Sequence, residues 1–477
     1  MDNQGSGGIV SYIEERTRLQ PLELVGLGSE RSVVPSGTTI AVVGGGLSGP
    51  AFARRVLTLA AKLDIDVQIE LLTRPSCNYC AGLITNISLH TMRNLYDLSV
   101  PPEVIKESIF EVVYMNRHGS VTVPLADPLT SVLRTSRFKQ RGFDESWIES
   151  VFKGLHSHEN FRVHTDARVT NIKRKESGGF KITYDRTGSQ LTLDAEVVVL
   201  ATGLKSIQQP FMQRFIAEFG YKPPGLMDSC VTEINTACAE HYDLAGRVLV
   251  VDGVIKNCIA AFIPKGRDWL TVTGLGKVLA DHDMEVLFNQ PLVRRYIRLE
   301  HVIDHLRCRK ICSATVVTHP GARFYGDGWV MIGDLTGYGR ALKDGYFASL
   351  QSADLAAKTI LLHGTSQAAF RENYLKPLRK LATDNRVGMW LFWLDQRIAK
   401  GRVGTRLLAS ALRETRKCKY GGLVTAAFRA LFSGELSYKW ISGLFMAGVT
   451  MDVLKSGFRR KPADADQVLR VDPRAAE

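Results

Sequence analysis

Gly44, Gly46 and Gly49 stand at the spacing Gly-x-Gly-x-x-Gly, and that spacing serves the binding of a dinucleotide through its phosphates. The first glycine permits a tight turn, and the second lets the backbone approach a pyrophosphate. The third lets the following helix pack close to the strand before it. A helix beginning near Leu47 and Ser48 adds unpaired N–H groups and the positive end of its dipole. An acidic residue about 20 positions on would take the ribose hydroxyls. At the end of the next strand this chain has Thr73 and Arg74 instead, with Glu70 three positions early.

Cys77-x-x-Cys80 is the other constellation with chemistry in it. A zinc site would need a second pair, and Cys308 with Cys312 is irregularly spaced. A redox dithiol fits the spacing, as do two buried thiols in a loop. The histidines form no compact ligand group, so no metal site is expected. The chain has neither a Gly-x-Ser-x-Gly elbow nor a Walker loop.

These residues need elements to hold them. Thr38 to Val43 is a short apolar run that reads as a buried parallel strand, and it leads straight into the glycines. An Ala/Leu-rich helix follows, with Pro50 tolerated in its first turn. Val67 to Arg74 then reads as a second strand. A further helix is expected from about Asp144. Strands over 161–200 end in Ala201-Thr202-Gly203, residues 225–320 are β-rich, and Gly328 to Asp334 is a late strand before another helix. After about Thr365 the pattern is helical. The expected architecture is α/β, divided into an extension (1–37), a discontinuous dinucleotide-binding domain (38–205 and 321–363), a β-rich insertion (206–320) and a helical extension (364–477).

The chain of 477 residues is 45% hydrophobic and 23% charged, a composition that excludes disorder. Eight cysteines are too few for a disulfide scaffold, and a cytoplasmic, reducing compartment fits. Neither a secretory signal nor a membrane span is expected, since the best apolar stretch, Ile441 to Leu454, is broken by Asp452. Between Arg371 and Tyr420 stand thirteen Lys/Arg against four Asp/Glu, a local +9 out of +13 for the whole chain. Trp390, Phe392, Trp393, Trp440, Phe445 and Met446 are interleaved with or follow these cations. That mixture suits either a solvated basic face or peripheral membrane contact through residues 371–460. No nucleic-acid motif is present, so no nucleic-acid partner is expected.

Five separated segments together resemble the para-hydroxybenzoate-hydroxylase-like FAD superfamily, and within it the geranylgeranyl-reductase-like branch. They are the Gly44–Gly49 loop, Thr73 to Gly82 with Cys77 and Cys80, and Arg141-Gly142-Phe143-Asp144, where Arg137 is a rival arginine. Phe262 to Gly276 and Gly333-Asp334-Leu335-Thr336-Gly337 complete the set. The resemblance implies a Rossmann-like FAD-binding domain of the GR2 type, with an inserted substrate domain and a C-terminal helical extension. It places FAD on the Gly44 loop, Val169 near the adenine, Ala201-Thr202-Gly203 beneath the cofactor, and Asp334 near the ribityl-pyrophosphate. Cys80 becomes the candidate reactive thiol beside the flavin ring. Arg340 and Lys343 would be cations near the phosphates or the flavin, or else surface residues.

The implied activity is FAD-dependent reduction or dehydrogenation of a carbon–carbon bond in an apolar, isoprenoid-like substrate, by hydride transfer through flavin N5. NADPH, ferredoxin or a quinol would be the electron donor. Thr202-Gly203 replaces the Asp-Gly pair of the aromatic hydroxylases, which argues against a standard NAD(P)H-fed monooxygenase. That activity and a non-catalytic membrane-surface role are the alternatives.

Overall fold

The computed structural model describes residues 32–74, 81–116, 119–132, 148, 151, 154–307, 309–340, 345–381, 385–398, 411 and 422–456. Thr38–Val43 is buried along almost its whole length, as a central parallel strand must be. It pairs in parallel with Val67–Leu72 on one side and Val197–Leu200 on the other. Phe161–His164 and Trp329–Met331 continue the sheet outward, and Tyr325–Gly326 closes one edge antiparallel. The helix Ser48–Lys62 crosses from the first strand to the second and packs against the helix Gly345–Lys358. Between those helices Arg55 donates to Asp354 at 2.6 Å, and Lys358 reaches the same carboxylate at 2.8 Å. The charges are buried but paired, which is the condition under which buried charge is tolerated.

A second, eight-stranded sheet forms the other half. Its order is Cys312–His319, Gly225–Asn235, Trp269–Leu275, Ile259–Pro264, Arg247–Asp252, Ile105–Asn116, Gly119–Val132 and Leu83–Ile84. The strand period of two divides its side chains cleanly. Val113, Met115, Leu249, Val251 and Phe262 enter a core covered by the helix Asp281–Phe288. Val112, Tyr114, Val248, Val250, Ala261 and Ile263 point the opposite way and border a cavity.

This sheet moves one boundary drawn from the sequence. Residues 83–132 fall inside the 38–205 block, yet their strands belong to the second sheet, with Tyr114 opposite Val250. Pairing partners more than a hundred residues apart leave no mark on local periodicity. A hairpin reads the same whichever sheet it joins.

Two buried cations tie sequence-distant segments together. Lys265 donates to the carbonyls of Ala81 (2.8 Å), Gly82 (2.8 Å) and Val132 (2.6 Å), joining the end of the strand Ile259–Pro264 to the far edge of the same sheet. Arg340 donates to the carbonyls of Gly434 and Leu436, with its guanidinium 4.3 Å from the centre of the Tyr438 ring. It thereby anchors the helices Leu423–Ser433 and Tyr438–Ser456 over the cavity. No described helix is long and apolar enough to cross a membrane.

Lys265→Met keeps the aliphatic stem but leaves three buried carbonyls without this donor. The expected loss is about 3 kcal/mol of unfolding free energy, read from the urea midpoint at unchanged slope.

Candidate functional site

The glycine loop shows three separate jobs in its geometry. Gly44 has φ +114°, and a Cβ there would collide with the Ala201 carbonyl of the neighbouring strand end. At Gly49 a Cβ would strike the Gly44 carbonyl, so only glycine lets the helix start this close beneath the turn. At Gly46 a Cβ would meet nothing within 4 Å, because the position faces the cavity. The loop is therefore a cradle whose open side is bare backbone at the start of a 15-residue helix.

The other expected binding residues collect around it. Leu47, Ser48, Thr73, Arg74, Val169, Ala201, Thr202, Gly203 and Asp334 all border the same cavity. Thr73 occupies the end of the second strand, opposite Gly44, held by backbone hydrogen bonds to His164 and Ala167. Glu70 does not face the cavity. It is buried and paired with His164 at 2.6 Å, while the other His164 ring nitrogen lies 3.3 Å from the Tyr184 hydroxyl. Among the described residues, this end of the cavity consequently presents Thr73 and Arg74 rather than a carboxylate.

Gly333 and Gly337 stand behind the site rather than in it. A Cβ on Gly333 would hit the Ser48 hydroxyl, and one on Gly337 would lie 2.6 Å from Pro224. Their positive φ values fold Gly333–Thr336 into a tight turn that turns Asp334 toward the cavity. The Asp334 side chain accepts no hydrogen bond among the described residues, although protein surrounds it. Desolvation pushes its carboxyl up to about 6. An acceptor held this way is matched to a ligand that donates hydroxyls. The open cradle at Gly46, the helix start and this unpartnered acid together fit the pyrophosphate and ribityl chain of FAD.

The cavity does not stop at the cofactor end. Its whole volume is about 1080 Å³, and it continues from the glycine loop to the space between the free face of the second sheet and the C-terminal helices. Aliphatic residues such as Val112, Val248, Ile259 and Ile263 form its floor, and Leu391, Phe428, Phe445 and Val449 its roof. Tyr114, Asp395 and Ser442 are polar intrusions into it. The Tyr114 hydroxyl donates to Asp252 at 2.8 Å, and burial together with the nearby Asp395 and Asp252 charges holds its pKa far above the usual phenol range.

Cys77, Cys80, Arg137, Arg141 and Lys343 lie outside the described residues, and of the helix expected from Asp144 only Ile148 and Val151, both helical and buried, are among them. Arg340 does border the cavity, but its guanidinium grips carbonyls of the C-terminal segment rather than sitting on the surface. Sequence reasoning missed that role and that of Lys265. Neither residue has a neighbour in sequence that announces its partners.

No protein-family model matches the chain, and no curated protein matches it in sequence. Solved structures do. A geranylgeranyl bacteriochlorophyll reductase-like protein from Thermoplasma acidophilum superposes with a TM-score of 0.63 at 13% identity, over 88% of this chain and 100% of that one. A flavoprotein/dehydrogenase from Cytophaga hutchinsonii gives 0.60 at 12% identity, over 88% and 100%. A p-nitrophenol 4-monooxygenase from Pseudomonas putida gives 0.52 at 12%, over 87% and 99%. The chain shares the fold of these solved structures, a Rossmann-like α/β half joined to a second half built on a large mixed sheet.

Two outcomes follow from this geometry. Gly46→Val should fill the cradle and lower flavin content at least tenfold, while the melting temperature of the flavin-stripped protein stays within a few degrees. Asp334→Asn tests the unpartnered acid. A carboxyl raised to about 6 in the folded state costs stability as pH climbs from about 4 to 6. Flavin-stripped Asp334→Asn should therefore melt higher than the parent at pH 8, with the gap closing below about pH 4, and should bind FAD more weakly.

Proposed function

We propose that the protein is a FAD-dependent oxidoreductase that reduces or dehydrogenates a carbon–carbon bond of an apolar, isoprenoid-like substrate. One observation carries the reading: the cofactor cradle and a long, aliphatic chamber are a single cavity. FAD, when bound, supplies hydride chemistry at N5. The chain itself binds and shields. The backbone of Gly44 to Ser48 would hold the pyrophosphate, Asp334 the ribityl hydroxyls, and Thr73, Arg74 and Val169 the adenosine end. The Val and Ile side chains of the sheet face exclude water, which suits an uncharged substrate. The Thr202 hydroxyl lies 2.6 Å from that of Ser206, so no carboxylate stands where the aromatic hydroxylases carry one. NADPH, ferredoxin or a quinol would deliver the electrons.

Anaerobic photoreduction separates this reading from its rival. A prenyl lipid added to the bleached protein should restore the oxidised flavin spectrum, with the saturated product recovered in equal amount. Rapid bleaching by NADPH, with oxygen consumed only when substrate is present and no reoxidation by prenyl lipids, would overturn it in favour of a monooxygenase.

A further inference from the structure

The helix Asn385–Ile398 turns four side chains outward: Arg386, Trp390, Trp393 and Arg397. Their spacing of four, three and four residues puts them on one stripe. Two tryptophans, each 50% exposed, are flanked by an arginine on either side, and the Arg397 guanidinium lies 4.5 Å from the Trp393 ring centre. The neighbouring helix Tyr438–Ser456 adds a second unusual surface. Its outward positions are Lys439, Trp440, Gly443, Met446, Ala447, Thr450 and Met451, with a single charge among them. A helix apolar all round is normally buried or spans a bilayer. This one leaves its outer face uncovered and is not a span.

The cavity reaches this surface. Trp390 and Met446 both border the cavity, yet they are 50% and 66% exposed. They stand on the two adjoining helices. In the sequence, the stretch that contains the first of these helices, from Arg371 to Tyr420, carries a net +9. Aromatic and thioether side chains at headgroup depth, framed by guanidinium groups, complement an anionic lipid surface in both its apolar and its charged layers.

We infer that this face docks on an anionic phospholipid bilayer and that the substrate passes from the lipid directly into the cavity between Trp390 and Met446. The second half rests on the reading of the cavity as an apolar-substrate chamber; the docking does not.

Trp393 and Trp440 are the residues to change, because they are exposed without bordering the cavity. The flavin-loaded protein is sedimented with vesicles of phosphatidylcholine alone, or of phosphatidylcholine with phosphatidylglycerol. The parent should bind the mixed vesicles at least tenfold more tightly than the neutral ones. Trp393→Ser with Trp440→Ser should lose at least tenfold in vesicle affinity. Arg386→Gln and Arg397→Gln should cost roughly fivefold each at low salt. Flavin content and turnover of detergent-dispersed substrate should not change in any of them, which separates loss of docking from misfolding or a wrong reaction. Bromine-labelled acyl chains should quench tryptophan fluorescence in the parent and much less in the double variant. Equal binding by parent and double variant, or no preference for anionic vesicles, overturns the inference. So does a parent dimer that the tryptophan changes dissociate, since the face would then be an interface between two copies.

Discussion

Two backbone carbonyls decide the geometry of the glycine loop. The Gly44 oxygen lies where a side chain at position 49 would begin, and the Ala201 oxygen lies where one at position 44 would begin. Both contacts are possible only because two residues lack Cβ. Through them the helix Ser48–Lys62 starts directly beneath the turn, and the strand ends at Val43 and Leu200 stay in register. Any bulk at either position would move the helix start, and with it every N–H aimed into the cradle. Gly333, stacked on Ser48 from the far side, extends the same constraint to Asp334.

The other end of the cavity is built on a different principle. There the sheet supplies a floor by simple alternation, one face to a core and the other to the cavity. The roof is imported from the end of the chain and fastened by Arg340. A buried guanidinium that donates to carbonyls and lies over a ring fixes its partners firmly, and it commits that cation to the protein rather than to a phosphate. The chamber is thus a seam between two sequence-distant regions. Its volume depends on how closely the roof helices are drawn down.

Local features were legible in the sequence, and distant ones were not. The strand Thr38–Val43, the glycine loop and the Gly333–Asp334 turn are written in consecutive residues, and each stands where the pattern puts it. Thr73 is found at the strand end expected of an acid, and the structure gives Glu70 another occupation with His164. The membership of residues 105–132 in the second sheet was illegible because a strand does not encode its partner. Lys265 and Arg340 were illegible for the same reason, since each acts on carbonyls far along the chain. The Arg386–Trp390–Trp393–Arg397 stripe was legible in principle, as its period is helical and its residue types are paired.

The central claim is that the Gly44 loop and Asp334 hold FAD, and one spectrum tests it most directly. The purified protein is scanned in the visible range, then heated to release whatever it carries, and the released compound is identified. The account expects bands near about 370 and 450 nm and FAD in the supernatant, close to one per chain. A colourless protein that also fails to take up added FAD would contradict it.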